Sequence, residues 1–258
     1  MDLNLNADLG ESFGAWTMGD DAAMLAIVGS ANVACGFHAG DPLVMRRTLH
    51  AAHKAGVSIG AHVAFPDLQG FGRRPMQLAP DELEAAILYQ IAALAGLAQV
   101  EGTRVTHVKP HGALSNMACE DAALAERVAR AVRRFDRDLV LLAPARSALA
   151  TAGERAGLAV ALEVFADRTY TDAGHLVARR EPGAVIATAA ECATHVLGML
   201  EAGGIVSRTG KRVPTPFHSI CVHGDSAHAV DTAGTVRDAL ARAGYRLLPL
   251  TRIALARG

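Results

Sequence analysis

Residues 31–61, ANVACGFHAGDPLVMRRTLHAAHKAGVSIGA, read as a strand, a helix and a second strand. Asn32 to Phe37 is a short, mostly apolar run of strand length. Asp41-Pro42 then supplies a carboxylate that can cap a helix and a proline suited to its first position. The helix stops at Gly56, the residue type favoured past a helix end, and Val57 to Ala61 forms the next strand. A helix joining two short strands sets them side by side in parallel, with a right-handed crossover.

The same order recurs outward from this unit. Toward the start, Leu3 to Ala7 is a strand, and Asp20-Asp21 cap a helix reaching about Ser30. Toward the end, a loop over about 63–78 precedes a helix opened by Pro80-Asp81, with Leu83, Ile87, Ile91, Leu94 and Leu97 at helical spacing. Arg104 to Lys109, Leu139 to Ala143, Ala159 to Val164 and Ser219 to Val222 are strands. Helices are expected at about Glu120–Phe135, up to Gly157, over Thr188–Ala202 and over Val230–Ala243. Phe165 to Gly183 is polar and irregular, Gly203-Gly204 ends a helix, and Arg246 to Leu250 is a candidate eighth strand. Seven or eight such units in 258 residues predict one α/β domain over 1–258, a TIM-like (β/α) barrel. A doubly wound open sheet is the alternative, weakened because no G-x-G-x-x-G follows the first strand.

Composition narrows the function classes. The formal charge of −1 and the scattered pairs Arg46-Arg47, Arg73-Arg74, Arg133-Arg134 and Arg179-Arg180 offer no basic stripe for nucleic acid. Those pairs read mostly as solvated faces. Four cysteines without a C-x-x-C pair predict reduced thiols and a cytoplasmic setting, and the start lacks a signal-peptide pattern. No charge-free apolar stretch reaches 18 residues, so no membrane span is expected.

In parallel α/β folds the site lies beyond the strand ends. The first strand leads to Asn6, Asp8 and Glu11, the second to His38 and Asp41, the third to His62 and Asp67. The fourth leads to Lys109, His111 and Asn116, the sixth to Glu163, Asp167, Arg168 and Tyr170, and the seventh to His223 and Asp225. Asp41 doubles as a helix cap, and His50, His53 and His195 read as surface or packed helix residues. His107 shares a strand face with Lys109, and Gly60-Ala61 before His62 leave space for another group to come close. A lysine closing an apolar strand needs an anionic partner if it is buried.

Histidines beside carboxylates suit acid/base chemistry near neutral pH. Lys109 and Arg168 could hold a carboxylate, a phosphate or a developing oxyanion. Asp8, His38 and His62 are candidate ligands for a divalent metal, although no H-E-x-x-H motif occurs. There is no G-x-S-x-G elbow, and Cys35 and Cys221 read as thiols packed in apolar strands. Gly210-Lys211 is no P-loop, because Arg212 stands where Ser or Thr is required.

Six stretches together resemble the LamB/YcsF family. They are Asn6–Glu11 (NADLGE), Ala31–Asp41 (ANVACGFHAGD), Gly60–His62, Val108–Leu114 (VKPHGAL), Glu163–Arg168 with Tyr170, and Cys221–Asp225 (CVHGD), in family order along nearly the whole chain. The resemblance implies a barrel of the glycoside hydrolase/deacetylase type, serving as the A subunit of a bacterial 5-oxoprolinase. It implies ATP-dependent opening of 5-oxo-L-proline to L-glutamate, with ATP as co-substrate and subunits B and C as partners; homo-oligomerisation is left open. The expected catalytic set is Asp8, His38, Lys109, His111, His223 and Asp225. The expected lactam- or ATP-binding set is Asn6, Glu11, Asp41, His62, Asn116, Glu163, Asp167, Arg168 and Tyr170. Asp8 or His38 would activate water, Lys109 and Arg168 would hold anionic oxygens, and His111 or His223 would protonate the ring nitrogen. Two rival readings are a stand-alone metal-dependent hydrolase or deacetylase and a non-catalytic ligand-binding subunit.

Overall fold

Seven of the apolar runs become parallel strands that close on one another in the computed structural model, which describes residues 1–224 and 228–256. The first half of the chain runs β1 (Asp2–Leu9), α1 (Asp21–Leu25), β2 (Ser30–Ala34), α2 (Pro42–Ala55), β3 (Ser58–Val63), α3 (Pro80–Val100) and β4 (Val105–Pro110). It continues with α4 (Gly112–Glu120), α5 (Ala122–Phe135), β5 (Val140–Pro144), α6 (Ala148–Arg155), β6 (Ala159–Phe165) and α7 (Ala189–Glu201). A hairpin of β7 (Gly204–Val206) and β8 (Arg212–Pro214) precedes β9 (Ser219–Val222), α8 (Ala229–Arg242) and β10 (Arg246–Leu247).

The ring closes because β1 pairs with β2 on one side and β9 on the other, while β6 also pairs with β9. Its order is β1-β2-β3-β4-β5-β6-β9. The candidate eighth strand shrinks to Arg246 and Leu247, which pair with Asp2 and Leu3 at the entry of β1, outside the ring. Pro249 follows and, lacking an N–H, cannot extend the ladder.

Alternation along β1 sorts the core. Leu3, Leu5, Ala7 and Leu9 join the apolar cluster that includes Met24 and Leu49 of the helices. Asn4, Asn6 and Asp8 instead meet side chains of other strands inside the ring. Asn4 donates to Ser30 Oγ and Asn6 to Ser219 Oγ, both at 2.8 Å. Asn32 donates to Asn6 Oδ1 at 2.8 Å, and His107 Nε2 lies 3.0 Å from Asn32 Oδ1. The barrel interior is thus a hydrogen-bonded polar ladder, which keeps these buried polar groups satisfied.

Several boundaries differ from the sequence expectation. β2 spans Ser30–Ala34, because Cys35-Gly36 turn away with Gly36 at φ +93° and bonded to Ala39 O. His38 therefore sits on a turn. Residues 112–120 form a helix of their own, and Asp121 caps the next one by accepting from Ala123 and Leu124. The β7–β8 hairpin falls where Gly203-Gly204 read only as a helix stop. α3 is long and apolar enough to cross a membrane by length and composition, yet Leu83, Ile87, Ile91 and Leu94 are buried on the protein. Gln90 of the same helix bonds both the N–H and the C=O of Ala64.

Gly60 shows why a small residue precedes His62. A Cβ there would overlap the His107 ring, which occupies that space. Gly60→Ala is expected to destabilise the fold by about 1–3 kcal/mol through overpacking. Urea unfolding measures this, and an unchanged midpoint would show that the ring can move aside freely.

Candidate active site

Four strands deliver the floor of the site. Lys109 Nζ, at the end of β4, lies 3.0 Å from Asp8 Oδ1, 3.1 Å from Glu163 Oε1, 3.1 Å from Cys221 Sγ and 3.3 Å from Asn6 Oδ1. Its three N–H groups are therefore shared among four acceptors. All of these side chains are nearly dry, with Lys109 4% and Glu163 1% exposed. Burial alone would lower the Lys109 pKa, but Asp8, Cys221 and Glu163 outweigh it and hold the ammonium well above its ordinary value. Burial likewise works to raise Asp8, yet His62 and Lys109 hold its carboxyl well below the usual range. Glu163 stays above the usual range because burial outweighs Lys109.

Beside this floor, three imidazoles converge on Glu11. His38 Nε2 lies 3.2 Å and His111 Nδ1 3.7 Å from Glu11 Oε1, while the His38 and His111 rings stack at 3.9 Å. Hydrogen-bond partners assign the tautomers. His62 Nδ1 donates to Lys109 O and His111 Nε2 donates to Phe71 O, so His62 Nε2 and His111 Nδ1 face one another at 2.9 Å. Burial, with His62 adding, pushes His111 down to about 3, and burial holds His38 well below its ordinary value. His38 Nδ1 finds no partner among the described residues.

One ligand atom from each of Glu11, His38, His62 and His111 lies within 4.8 Å of the others, so the set could hold a metal. The donor set fits such an ion. It retains His38 and His62 from the sequence-based ligand set, adds Glu11 and His111, and leaves Asp8 paired to Lys109.

The wall of the site is an Asp–His pair. His223 Nδ1 lies 2.9 and 2.8 Å from the two oxygens of Asp167, and Phe165 stacks on the ring at 5.5 Å. Burial raises Asp167, but His223 outweighs it and the carboxyl is lowered. A cavity of about 400 Å³ opens over floor and wall, lined by Asp8, His62, Lys109, His111, Glu163 and His223 among others. Arg73, Arg168 and Arg179 border it, making its mouth cationic above an acidic floor.

The structure brings most expected residues together. Asn116 and Tyr170 line the cavity, and Tyr170 Oη accepts from Phe165 N at 2.7 Å. Arg168 spends Nε and Nη2 on the carbonyls of Ala184 and Val177, bracing the loop after β6 while it faces the cavity. Asn6 lies beneath, holding Glu163 Oε1 at 2.8 Å. Asp41 stays apart: it accepts from Leu43, Val44 and Gly14, capping α2 and pinning the loop after β1. Asp67 pairs with Arg74. Asp225 lies outside the described residues. Sequence reasoning missed Arg73 and Arg179, which read as members of solvated pairs. It also missed Asn32, whose Nδ2 holds Asp8 Oδ1 at 2.9 Å. Alternation with Val33 carried a signal for Asn32, because a buried strand has an inward face.

Comparison with known proteins places the chain. The sequence model of the LamB/YcsF family matches residues 3–255. The 5-oxoprolinase A subunit of Azoarcus sp. (strain BH72) is 64% identical over 250 residues, covering 97% of this chain and 98% of that protein. The crystal structure of a lactam utilization protein from Thermus thermophilus matches with a TM-score of 0.92 at 41% identity, covering 97% of this chain and 100% of that one. The catalytic domain of a peptidoglycan N-acetylglucosamine deacetylase from Eubacterium rectale has a TM-score of 0.52 at 11% identity, covering 97% and 89%, a likeness of fold alone. From a family match over nearly its whole length and relatives of this identity, the chain belongs to the LamB/YcsF family.

Proposed function

We propose that this chain acts in the cytoplasm as the A subunit of a 5-oxoprolinase, opening 5-oxo-L-proline to L-glutamate with ATP hydrolysis and with subunits B and C. The names of the relatives support the substrate class. The observation that carries the chemistry is a cavity shared by an Asp-held histidine, a buried lysine and a cationic rim.

The reaction joins a water oxygen to the lactam carbonyl carbon, breaks the C–N bond and leaves a proton on nitrogen. Asp167 holds His223 Nδ1, so Nε2 is the nitrogen that can take a proton from water and return it to the departing nitrogen. His111 is poorly suited to that role, because both its nitrogens are engaged. Asp8, held ionised, and Lys109 keep the floor in place and set the local field. Arg73, Arg168 and Arg179 suit the substrate carboxylate or a phosphate. ATP hydrolysis in the complex offsets the stability of the five-membered amide.

Glu11, His38, His62 and His111 would hold a divalent metal beside the cavity, and such an ion supplies Lewis-acid polarisation of an oxygen. Purified protein is expected to carry about one divalent ion per chain, lost in His111→Ala. Elemental analysis and the visible absorption of a Co²⁺-loaded sample read this without any assay of activity. Metal-free protein whose melting temperature ignores added Zn²⁺, Co²⁺ and Mn²⁺ would count against the site.

The function is tested by omission. Glutamate formed from 5-oxoproline and ATP is followed with subunits B and C, with and without this chain. Formation is expected only when all three are present. Equal formation without this chain overturns the proposal.

A further inference from the structure

Glu163 carries an oxygen that the described fold leaves unused. Its Oε1 accepts from Asn6 Nδ2 at 2.8 Å and pairs with Lys109 Nζ at 3.1 Å. Its Oε2 is buried and has no hydrogen-bond partner among the described residues. Buried polar atoms are almost always satisfied, so an unpaired carboxylate oxygen on a residue that lines the cavity points to a donor supplied from outside the fold. The neighbouring acceptor is already occupied. Asp8 Oδ1 takes Lys109 and Asn32, and Asp8 Oδ2 lies 3.3 Å from His62 Nε2.

We infer that Glu163 Oε2 accepts the ring N–H of the bound cyclic amide and so selects lactams over ring analogues that lack this hydrogen. The inference rests on the lactam reading above and adds a specificity determinant to it. A lactam offers one N–H donor beside one carbonyl acceptor, and in this floor the spare capacity is an acceptor. A ring oxygen in place of N–H would set two lone pairs against each other in a dry site. An N-methyl group would meet the carboxylate directly. Sites built to bond a substrate N–H reject analogues without it, because a buried partner is left unpaired.

The test uses this chain assembled with its partner subunits, without ATP. Radiolabelled 5-oxoproline is equilibrated with the complex by dialysis and displaced by three unlabelled compounds. These are 5-oxoproline itself, the lactone 5-oxotetrahydrofuran-2-carboxylate and N-methyl-5-oxoproline. The lactone and the N-methyl compound are expected to displace the label at least about tenfold more weakly than 5-oxoproline. With Glu163→Gln, the amide oxygen can still face Lys109 and Asn6 while the amide N–H faces the ring. Lactam affinity then falls at least about tenfold and the gap to the lactone closes. If that variant does not fold, the wild-type comparison decides alone. Equal displacement by lactone and lactam on the wild type overturns the inference and leaves the substrate reading intact. Failure to retain labelled 5-oxoproline at all overturns both.

Discussion

Lys109→Met is expected to lower the free energy of unfolding by about 3–5 kcal/mol, because it leaves two carboxylates buried without their cation. Asp8 and Glu163 both contact the ammonium at 3.0–3.1 Å, and both are buried. Glutamate formation by the reconstituted complex should fall at least about a hundredfold, since the floor that sets the local field is lost. Stability and activity can be separated. Adding Asp8→Asn and Glu163→Gln to Lys109→Met removes the unpaired charges, so urea unfolding should recover most of the lost stability while activity stays low. A Lys109→Met chain that unfolds at the wild-type midpoint would show that the ammonium does not organise the floor.

The second large effect belongs to the wall. His223→Ala should reduce kcat by about 10²- to 10⁴-fold, the usual contribution of a positioned acid/base. Asp167→Asn should cost a comparable factor, because the amide no longer fixes which ring nitrogen carries the proton. Both side chains are partly exposed at the cavity, so melting temperatures should change little. Steady-state kinetics of the complex separate kcat from KM, and the loss is expected in kcat. A His223→Ala complex that keeps kcat within about threefold would remove His223 from the chemistry.

Much of this site was legible because parallel strands impose a simple rule on where side chains gather. Lys109 closing an apolar strand announced buried anions, and Asp8 and Glu163 are those anions. Small residues before His62 announced a close neighbour, which is the His107 ring. The strand count was less legible. Whether Arg246 to Leu250 joins the ring depends on β9 reaching β1 directly, a pairing between segments far apart in sequence. The short helix at 112–120 hid behind Ser115 and Asn116, which read as loop until packing against α5 and α6 is known. The candidate metal-ligand set was half legible. His38 and His62 follow strands, but only the fold brings Glu11 and His111 to them and turns Asp8 toward Lys109. Arg73 and Arg179 sit in irregular segments, where no periodicity says which of two adjacent arginines faces inward.

The cavity beyond the barrel strands is proposed as the place where the cyclic amide is held. A crystal structure of the protein, in complex with its partner subunits and soaked with 5-oxoproline, tests it most directly. The ring is expected above Lys109, with its N–H about 3 Å from Glu163 Oε2 and its carboxylate toward Arg73 and Arg179. Well-defined 5-oxoproline density on one of the partners, with this cavity holding only water, would contradict it.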